Sequence, residues 1–294
     1  MPSPPSKPAA AHAAAGSLRL PAQAWRGGRM QRLQECVAQE TPVALVYNGE
    51  PHAVMMATPC DLEDFAVGFS LTEEVVAAAA EIEALEVRPL TDDSGGVEVR
   101  LRIPAARLRL LQHRRRNLAG RTGCGLCGAQ TIAEAVRQPR RVPAGAPVSA
   151  AALRRALEEV RRGQALNAAT GAMHAAAWAT ADGAVRCLRE DVGRHNALDK
   201  LAGALLRSGQ DPAGGFAVVT SRASYEMALK AAMAGIPLLA AISAPTARAV
   251  AVAEEAGLTL LGFARGDSFV VYACAARLAE AAPRAAAPAG LGIA

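Results

Sequence analysis

The sequence contains few aromatic residues. Phe, Trp and Tyr together make up 3% of the 294 residues, which leaves few rings on which single-stranded bases could stack, and the sequence has no zinc-finger or RNA-binding motif. We therefore expect no nucleic-acid partner. The formal net charge of +5 favours encounters with anionic molecules in general but identifies none of them.

Long apolar runs and dense cysteine spacing are also absent. The apolar runs are much shorter than the roughly 20 residues that a membrane-spanning helix requires, so we expect no membrane association. The first residues lack the apolar core of a signal peptide, and six cysteines are too few for a disulfide-dense secreted scaffold. These features predict a cytoplasmic protein that folds around a hydrophobic core.

Composition divides the chain into two lobes and two tails. Residues 1–28 and 277–294 are rich in Ala and Pro and lack periodic apolar positions, which predicts disordered tails. Residues 29–145 are expected to form an N-terminal lobe with a hairpin and a Cys-x-x-Cys loop, and residues 146–276 an α/β lobe. The proline-rich segment 138–149 is the expected joint.

The N-terminal lobe is expected to begin with a strand pair. Residues 43–47 and 53–57 are joined through Asn48-Gly49, a dipeptide that favours a tight hairpin turn. Asp61 is expected to cap a helix that packs one apolar face on a core. Residues 97–103 alternate like a half-exposed strand, and residues 105–117 read as a basic helix or turn.

The second half alternates short apolar strands with helical segments between residues 216 and 273. This alternation predicts parallel strand pairing with helices covering the sheet. The expected fold class is α/β.

A pair of cysteines, Cys124 and Cys127, stands out chemically. Three glycines flank the pair, and residues 129–136 read as a helix that begins just after it. The helix dipole and its free N–H groups favour an anion at this position. Arg121 and the arginines at 114–116 add positive charge, so we expect a lowered thiol pKa and a reactive thiolate.

Four kinds of chemistry use such a pair. Structural zinc needs four ligands, and the four other cysteines are widely spaced, so no zinc is expected. Nucleobase deaminases combine Pro-Cys-x-x-Cys with His-x-Glu, which is absent from this sequence. Dithiol redox exchange and a persulfide that carries sulfur both remain, and the pair alone does not distinguish between them.

The surrounding sequence does distinguish between them. The matching segments are residues 40–43 (ETPV), 123–128 (GCGLCG), 190–200 (EDVGRHNALDK), 221–227 (SRASYEM) and 262–266 (GFARG). In this order they resemble the FdhD-type formate dehydrogenase accessory sulfurtransferases. The resemblance extends over about residues 40–273.

The resemblance implies a function and a fold. Members of that family take sulfur from a cysteine desulfurase and transfer it to the molybdenum or tungsten bis(molybdopterin guanine dinucleotide) cofactor of formate dehydrogenase. By this similarity Cys124 carries the persulfide and Cys127 assists.

The implied fold is a cytidine-deaminase-like mixed sheet with helices on both faces, plus a smaller N-terminal α+β lobe. We also expect a homodimer. The alternative is a cofactor-binding chaperone or a thiol redox protein without sulfur transfer.

One segment matches the place where the family binds its guanine dinucleotide. It supplies a cation that can donate to two phosphate oxygens, a flexible glycine, a carboxylate for the guanine N–H edge, and a hydroxyl. The alternative is a polar hairpin turn between two strands. The candidate residues are Phe263, Ala264, Arg265, Gly266, Asp267 and Ser268.

Ser221 and Arg222 follow a predicted strand, at the edge of the sheet where α/β proteins place ligands. Exposed N–H groups, hydroxyls and a guanidinium there suit a pyrophosphate. Ser224 can instead serve simply as a helix N-cap.

Asp191, His195 and Asp199 recur every four residues, and they share one helical face if the helix starts early. A histidine between carboxylates can relay protons or bind a metal. The alternative is an ordinary helix start. His174 lies in another family-like stretch, where it forms either a polar site wall or part of the core.

Overall fold

The computed structural model describes residues 15–92, 95–116 and 137–279, and residues 114–116 by their backbone alone. The strands are β1 Ser17–Arg26, β2 Arg29–Ala38, β3 Thr41–Tyr47, β4 Glu50–Ala57, β5 Ala84–Pro89, β6 Val97–Arg102, β7 Val148–Ser149, β8 His174–Thr180, β9 Val185–Asp191, β10 Gly215–Val219, β11 Leu238–Ala241, β12 Thr259–Arg265, β13 Ser268–Ala273 and β14 Leu278–Ala279. The α-helices are α1 Leu62–Thr72, α2 Ala105–Arg116, α3 Ala150–Gly163, α4 Ala165–Thr170, α5 Arg194–Ser208, α6 Tyr225–Met233 and α7 Ala247–Ala256.

The first lobe is built on a four-stranded sheet in the order β4-β3-β6-β5. The predicted hairpin is confirmed, because β3 and β4 pair antiparallel around Asn48 and Gly49, which adopt φ values of 50° and 87°. The strand at 97–102 and the basic helix after it are also confirmed. The core of this lobe lies between the sheet and α1.

The second lobe is built on a six-stranded sheet in the order β13-β12-β11-β10-β8-β9. Strands β10, β11 and β12 pair parallel as predicted, while β8, β9 and β13 pair antiparallel. Successive residues of β10 point to opposite faces, so Val219 packs with α5, α6 and α7, whereas Val218 packs with α3. The mixed sheet with helices on both faces is therefore confirmed. The specific likeness to cytidine deaminases stays a prediction.

Both predicted tails are wrong where the structure describes them. Residues 17–26 form β1, which pairs with β2 along its whole length through a turn at Gly27-Gly28. Backbone pairing, rather than an apolar pattern, holds this hairpin, so composition gave no sign of it. At the other end, Arg277 donates to the carbonyls of Pro143, Ala144 and Gly257, and β14 pairs with β7. Residues 1–14 and 280–294 lie outside the described part, and the lobe boundary near 145 stays a prediction.

Helix α1 differs from its predicted form. Asp61 occupies the N-cap position in a left-handed conformation, with φ of 51°, and its side chain caps no N–H group of the described residues. Phe65 and Phe69 pack into the first-lobe core as expected. The opposite face is buried too, because it lies against α5 of the second lobe. A helix that is covered all round joins the two lobes.

The contact between α1 and α5 depends on two glycines. A Cβ at Gly68 would lie 1.8 Å from the carbonyl oxygen of Asp199, and a Cβ at Gly203 would lie 1.9 Å from that of Asp64. Both distances are far below van der Waals contact. The two backbones therefore approach as closely as they do only because neither position carries a side chain.

A buried ion pair ties the first lobe to the start of α5. Lys200 Nζ lies 2.7 Å from the Asp191 carboxylate, and both side chains are fully buried. The ammonium donates to the carbonyl of Thr58. The carboxylate accepts from the N–H groups of Thr58 and Gly193 and from the amide of Asn196. Each charge therefore has several partners, which a buried pair needs to offset its desolvation.

A second buried network lies further along the same helices. Lys230 Nζ contacts Asp199 at 2.9 Å and Glu73 at 2.8 Å, and Thr72 donates to Asp199 at 2.6 Å. Burial alone would raise the pKa of Glu73, but Lys230 and Arg137 hold it at about 2. Burial raises the pKa of Asp199. The network joins α1, α5 and α6 at one point.

Among the helices of the described residues, none combines the length and the apolar character that a membrane crossing requires.

Replacing Gly203 by Ala should destabilise the protein by about 3 kcal/mol or more, because the new methyl group overlaps the α1 backbone. Urea unfolding measures this loss. The matched control is Gly214→Ala, since a Cβ at Gly214 meets no atom within 4 Å. Equal stability of Gly203→Ala and the control would contradict the proposed importance of the crossing.

Replacing Lys200 by Met should cost roughly 3–5 kcal/mol of unfolding free energy, because it leaves the Asp191 carboxylate buried without its counter-charge. The double variant Lys200→Met/Asp191→Asn should recover part of that loss, since no charge is then stranded. Thermal and urea unfolding of the two variants test the coupling. A single variant as stable as wild type would show that the pair contributes nothing.

Candidate functional site

The carboxyl ends of the three parallel strands β10, β11 and β12 lie at one edge of the large sheet, and the loops that follow them are linked there. The N–H of Ala223 donates to the carbonyl of Ala244, and the N–H of Phe263 donates to that of Ser243. Parallel strands bring their carboxyl ends to the same edge, which is where α/β proteins usually bind ligands. Both predicted cofactor-binding segments therefore contact the loop that follows β11.

Ser221 and Arg222 lie in the loop between β10 and α6, as predicted. Ser221 is buried, and its hydroxyl donates to the carbonyl of Arg222 at 3.0 Å. Arg222 is exposed at the edge. The guanidinium is therefore the group of this pair that a ligand in solution can reach.

The segment from Phe263 to Ser268 closes the hairpin between β12 and β13. Gly266 and Asp267 form the turn, so the hairpin interpretation is confirmed. Arg265 is exposed, and its Nε donates to the carbonyl of Ile242 at 2.8 Å, which holds the side chain over the end of β11. Ala264 is fully buried. The arginine thus lies at the same edge as Arg222.

Phe263 has an unusual conformation. Its φ is 51° and its side chain is 44% exposed. A bulky residue with positive φ is a real backbone outlier. Strain of this kind concentrates at functional sites, and here it turns an aromatic ring outward next to Arg265.

The predicted face of Asp191, His195 and Asp199 does not exist. Helix α5 begins only at Arg194, so Asp191 ends strand β9 and belongs to the buried pair with Lys200. Asp199 belongs to the network with Lys230. Only His195 stays at the sheet edge, where its Nε2 lies 2.8 Å from the Glu226 carboxylate.

His174 lies beside His195 at the start of β8, next to the end of β10. Burial lowers the pKa of His174, and the nearby charges of Arg194 and His195 lower it further, against an opposing effect of Asp191. The imidazole is therefore neutral at pH 7. It contributes a polar wall to the sheet edge.

The sequence analysis did not single out Arg194 and Glu226 at this edge, or the lysines of the two buried networks. Lys200 and Lys230 interrupt apolar helical stretches, and that interruption was the available signal. Arg194 and Glu226 carried no such signal, since each is one charged residue near a helix start.

The predicted sulfur-carrying cysteines, Cys124 and Cys127, lie outside the described residues. The described part of the chain resumes at Arg137, whose N–H donates to the Tyr225 hydroxyl at 2.9 Å and whose guanidinium lies 3.2 Å from Glu73. Tyr225 begins α6 at the sheet edge. The residue that follows the cysteine-containing segment is therefore fixed beside the candidate site.

A surface cleft elsewhere involves a third cysteine. Cys60, Asp61, Asp64 and Arg207 line it. Arg207 lies about 20 Å along α5 from Arg194, from the rise of an α-helix. Burial raises the pKa of the Cys60 thiol, which makes it a poor nucleophile. The sheet edge, not this cleft, is the candidate site.

Known proteins resemble the chain over most of its length. It is 54% identical to the sulfur carrier protein FdhD of Xanthomonas euvesicatoria pv. vesicatoria over 263 residues, which cover 90% of this chain and 92% of that protein. It is 50% identical over 272 residues to the protein of the same name from Cupriavidus necator, covering 90% and 93%.

The fold is also similar to that of a solved structure. The crystal structure of a protein from Desulfotalea psychrophila, provisionally named a formate dehydrogenase accessory protein, matches with a TM-score of 0.69 at 24% identity, over 90% of this chain and 99% of that one. The model of the FdhD/NarQ family matches residues 38–279. The chain therefore belongs to the FdhD/NarQ family.

Proposed function

We propose that this protein is a sulfur carrier for formate dehydrogenase. It accepts sulfur from a cysteine desulfurase as a persulfide on Cys124 and transfers it to the molybdenum or tungsten bis(molybdopterin guanine dinucleotide) cofactor. The support is its high identity to sulfur carrier proteins along nearly its whole length. Action as a sulfurtransferase, in the cytoplasm and as a homodimer, is part of the same proposal.

Loading of Cys124 is a thiolate exchange. The Cys124 thiolate attacks the terminal sulfur of the donor's persulfide, the donor's S–S bond breaks, and the donor cysteine leaves as a thiolate. No external oxidant or reductant is needed, because the sulfane sulfur simply changes carrier. The arginines near Cys124 and Cys127 in the sequence favour the thiolate that this step requires. Cys127 is proposed to assist.

The observation that supports the cofactor-binding part of the proposal is that two cationic loops lie at one edge of the sheet. Arg222 and Arg265 are both exposed there, after strands β10 and β12. We assign the guanidinium groups to the diphosphate, the exposed Phe263 ring to the face of the guanine, and the Asp267 carboxylate to its N–H edge. A guanidinium donates to two phosphate oxygens at once, which suits this role.

The second candidate function is a chaperone that holds the cofactor without transferring sulfur. The favouring observation is that the described sheet edge supplies cations and an aromatic ring but no exposed thiol, since the free cysteines of the described residues (Cys36, Cys60, Cys187 and Cys274) are each partly buried. The cytidine-deaminase-like topology stays part of this proposal in either case.

Incubation with a cysteine desulfurase and cysteine should add one sulfur atom to the protein, removable by dithiothreitol. Intact-mass spectrometry should detect this gain in wild type and in Cys36→Ala but not in Cys124→Ala, because only Cys124 accepts the persulfide. Cys127→Ala should retain the gain at reduced yield. Unchanged loading of Cys124→Ala would refute the role of Cys124, and no loading of wild type would favour the chaperone.

Calorimetry with guanosine diphosphate tests the cargo site. Arg265→Ala should bind roughly 10- to 100-fold more weakly, the effect of losing a charge-assisted hydrogen bond of about 1.5–3 kcal/mol. The matched control is Arg154→Ala, which removes an exposed arginine from α3 on the other face of the sheet. If Arg265→Ala and the control bind equally well, Arg265 is not part of the site.

A further inference from the structure

Strands β1 and β2 form a two-stranded ribbon, the N-terminal ribbon (residues 17–38). It contacts the rest of the described protein near its base, where a Cβ at Gly16 would lie 2.8 Å from Thr58 Cγ2 and where β2 lies against α4. From residue 21 to residue 34 no residue is buried. Each strand of ten residues is about 33 Å long, so the described part of the chain leaves the outer half of the ribbon largely uncovered.

Exposed apolar side chains lie on both faces of the ribbon. Trp25 and Met30 are opposite each other in the two strands and are 68% and 54% exposed. Leu20 and Val37 are exposed on the other face, because side chains alternate along a strand. A flat protein surface covers only one face of such a ribbon. Apolar groups on both faces fit a fluid medium that surrounds the ribbon.

The ribbon is also strongly cationic. Its two strands contain four arginines and one acidic residue, Glu35, which gives a formal charge of +3. All four arginines are exposed: Arg19, Arg26, Arg29 and Arg32. Two of them, Arg26 and Arg29, pair across the turn next to Trp25. The tip therefore combines an amphipathic ring with cations, a composition that favours the interface of an anionic membrane.

The edges of the ribbon are poorly suited to adding a strand from another protein. Pro21 has no N–H group, and a proline in a sheet normally directs that missing donor to the outer edge. Prolines and charged side chains on an edge strand discourage pairing with another chain. In the hydrocarbon of a bilayer the unpaired backbone groups of both edges would be unsatisfied. The ribbon therefore fits the headgroup layer, where water and phosphates can pair with its edges.

We propose that the tip of the N-terminal ribbon binds an anionic lipid surface. Trp25 and Met30 enter the interface, and Arg26 and Arg29 donate to lipid phosphates, since a guanidinium can donate to two oxygens at once. A contact of this kind needs no membrane-spanning helix, so the short apolar runs of the sequence do not oppose it. The proposal does not depend on sulfur transfer, and the match to the FdhD/NarQ family begins only at residue 38, at the end of the ribbon.

Fluorescence of the full-length protein tests the contact directly, because the chain has two tryptophans and Trp178 is buried. Vesicles of phosphatidylserine and phosphatidylcholine should shift the emission of Trp25 to shorter wavelength, and lipids brominated near the headgroup should quench it. Pure phosphatidylcholine vesicles, or about 0.5 M salt, should produce much less change, because salt screens the attraction. Trp25→Phe should show no shift. An emission that anionic vesicles leave unchanged would overturn the proposal.

Vesicle flotation tests the arginines. Arg26→Gln/Arg29→Gln should bind the anionic vesicles about 30-fold more weakly, since each arginine near a charged surface contributes roughly fivefold. The matched control, Arg154→Gln/Arg161→Gln, removes the same charge from exposed positions of α3 and should bind nearly as tightly as wild type. Equal weakening of the two variants would make the binding a property of net charge alone and refute the ribbon as the site.

The same variants identify other occupants of the ribbon. If vesicles do not bind and Arg26→Gln/Arg29→Gln instead weakens self-association in analytical ultracentrifugation, the ribbon contacts a second copy of this chain. If it weakens binding to a purified cysteine desulfurase or formate dehydrogenase, the occupant is a protein. Either result overturns the lipid proposal. Loading of Cys124 is measured without vesicles, so the lipid proposal and the proposed function fail independently.

Discussion

The close crossing of α1 and α5 is the constraint on which the rest of the structure depends. Gly68 and Gly203 let the two backbones touch, and no side chain could be accommodated at either position. The contact buries α1 on the face that its own lobe leaves open. The hydrophobic cores of the lobes are separate, so this crossing and the charged groups around it hold the two lobes together.

Charged groups fix the crossing in direction as well as in distance. Two lysine–carboxylate pairs lie along α5, one with Thr58 of the first lobe and one with Glu73 at the end of α1. A buried ion pair adds little net stability, but it restricts the local geometry strongly, because each charge tolerates few alternative positions. Since α5 starts at the sheet edge, the same contacts set where Arg194 and His195 lie relative to Arg222. Arg137, which contacts both Glu73 and Tyr225, extends this control to the chain that follows the cysteine segment.

Local patterns in the sequence predicted much of the fold. Asn48-Gly49 indicated the first hairpin, and alternating apolar strands indicated the parallel part of the large sheet; both are confirmed. The hairpin of β1 and β2 was missed because its pairing is carried by the backbone, which composition does not report. The prediction that Asp191, His195 and Asp199 share one helical face was wrong. Four-residue spacing implies a shared face only inside one helix, and α5 starts three residues after Asp191. Strand order predicted that Arg222 and Arg265 lie at one edge of the sheet, whereas no sequence pattern specifies that the Ser224 hydroxyl turns away from the N–H groups of its own helix.

The backbone conformation at Phe263 affects which substitutions would stabilise the protein at this position. A left-handed conformation at a bulky residue costs on the order of 1–3 kcal/mol, and glycine would adopt it without strain. The glycine would also remove the only exposed ring in the described part of this hairpin segment, residues 263–268. Folding and the proposed contact with the guanine therefore make opposite demands on this residue, and selection for stability alone would not keep a phenylalanine there.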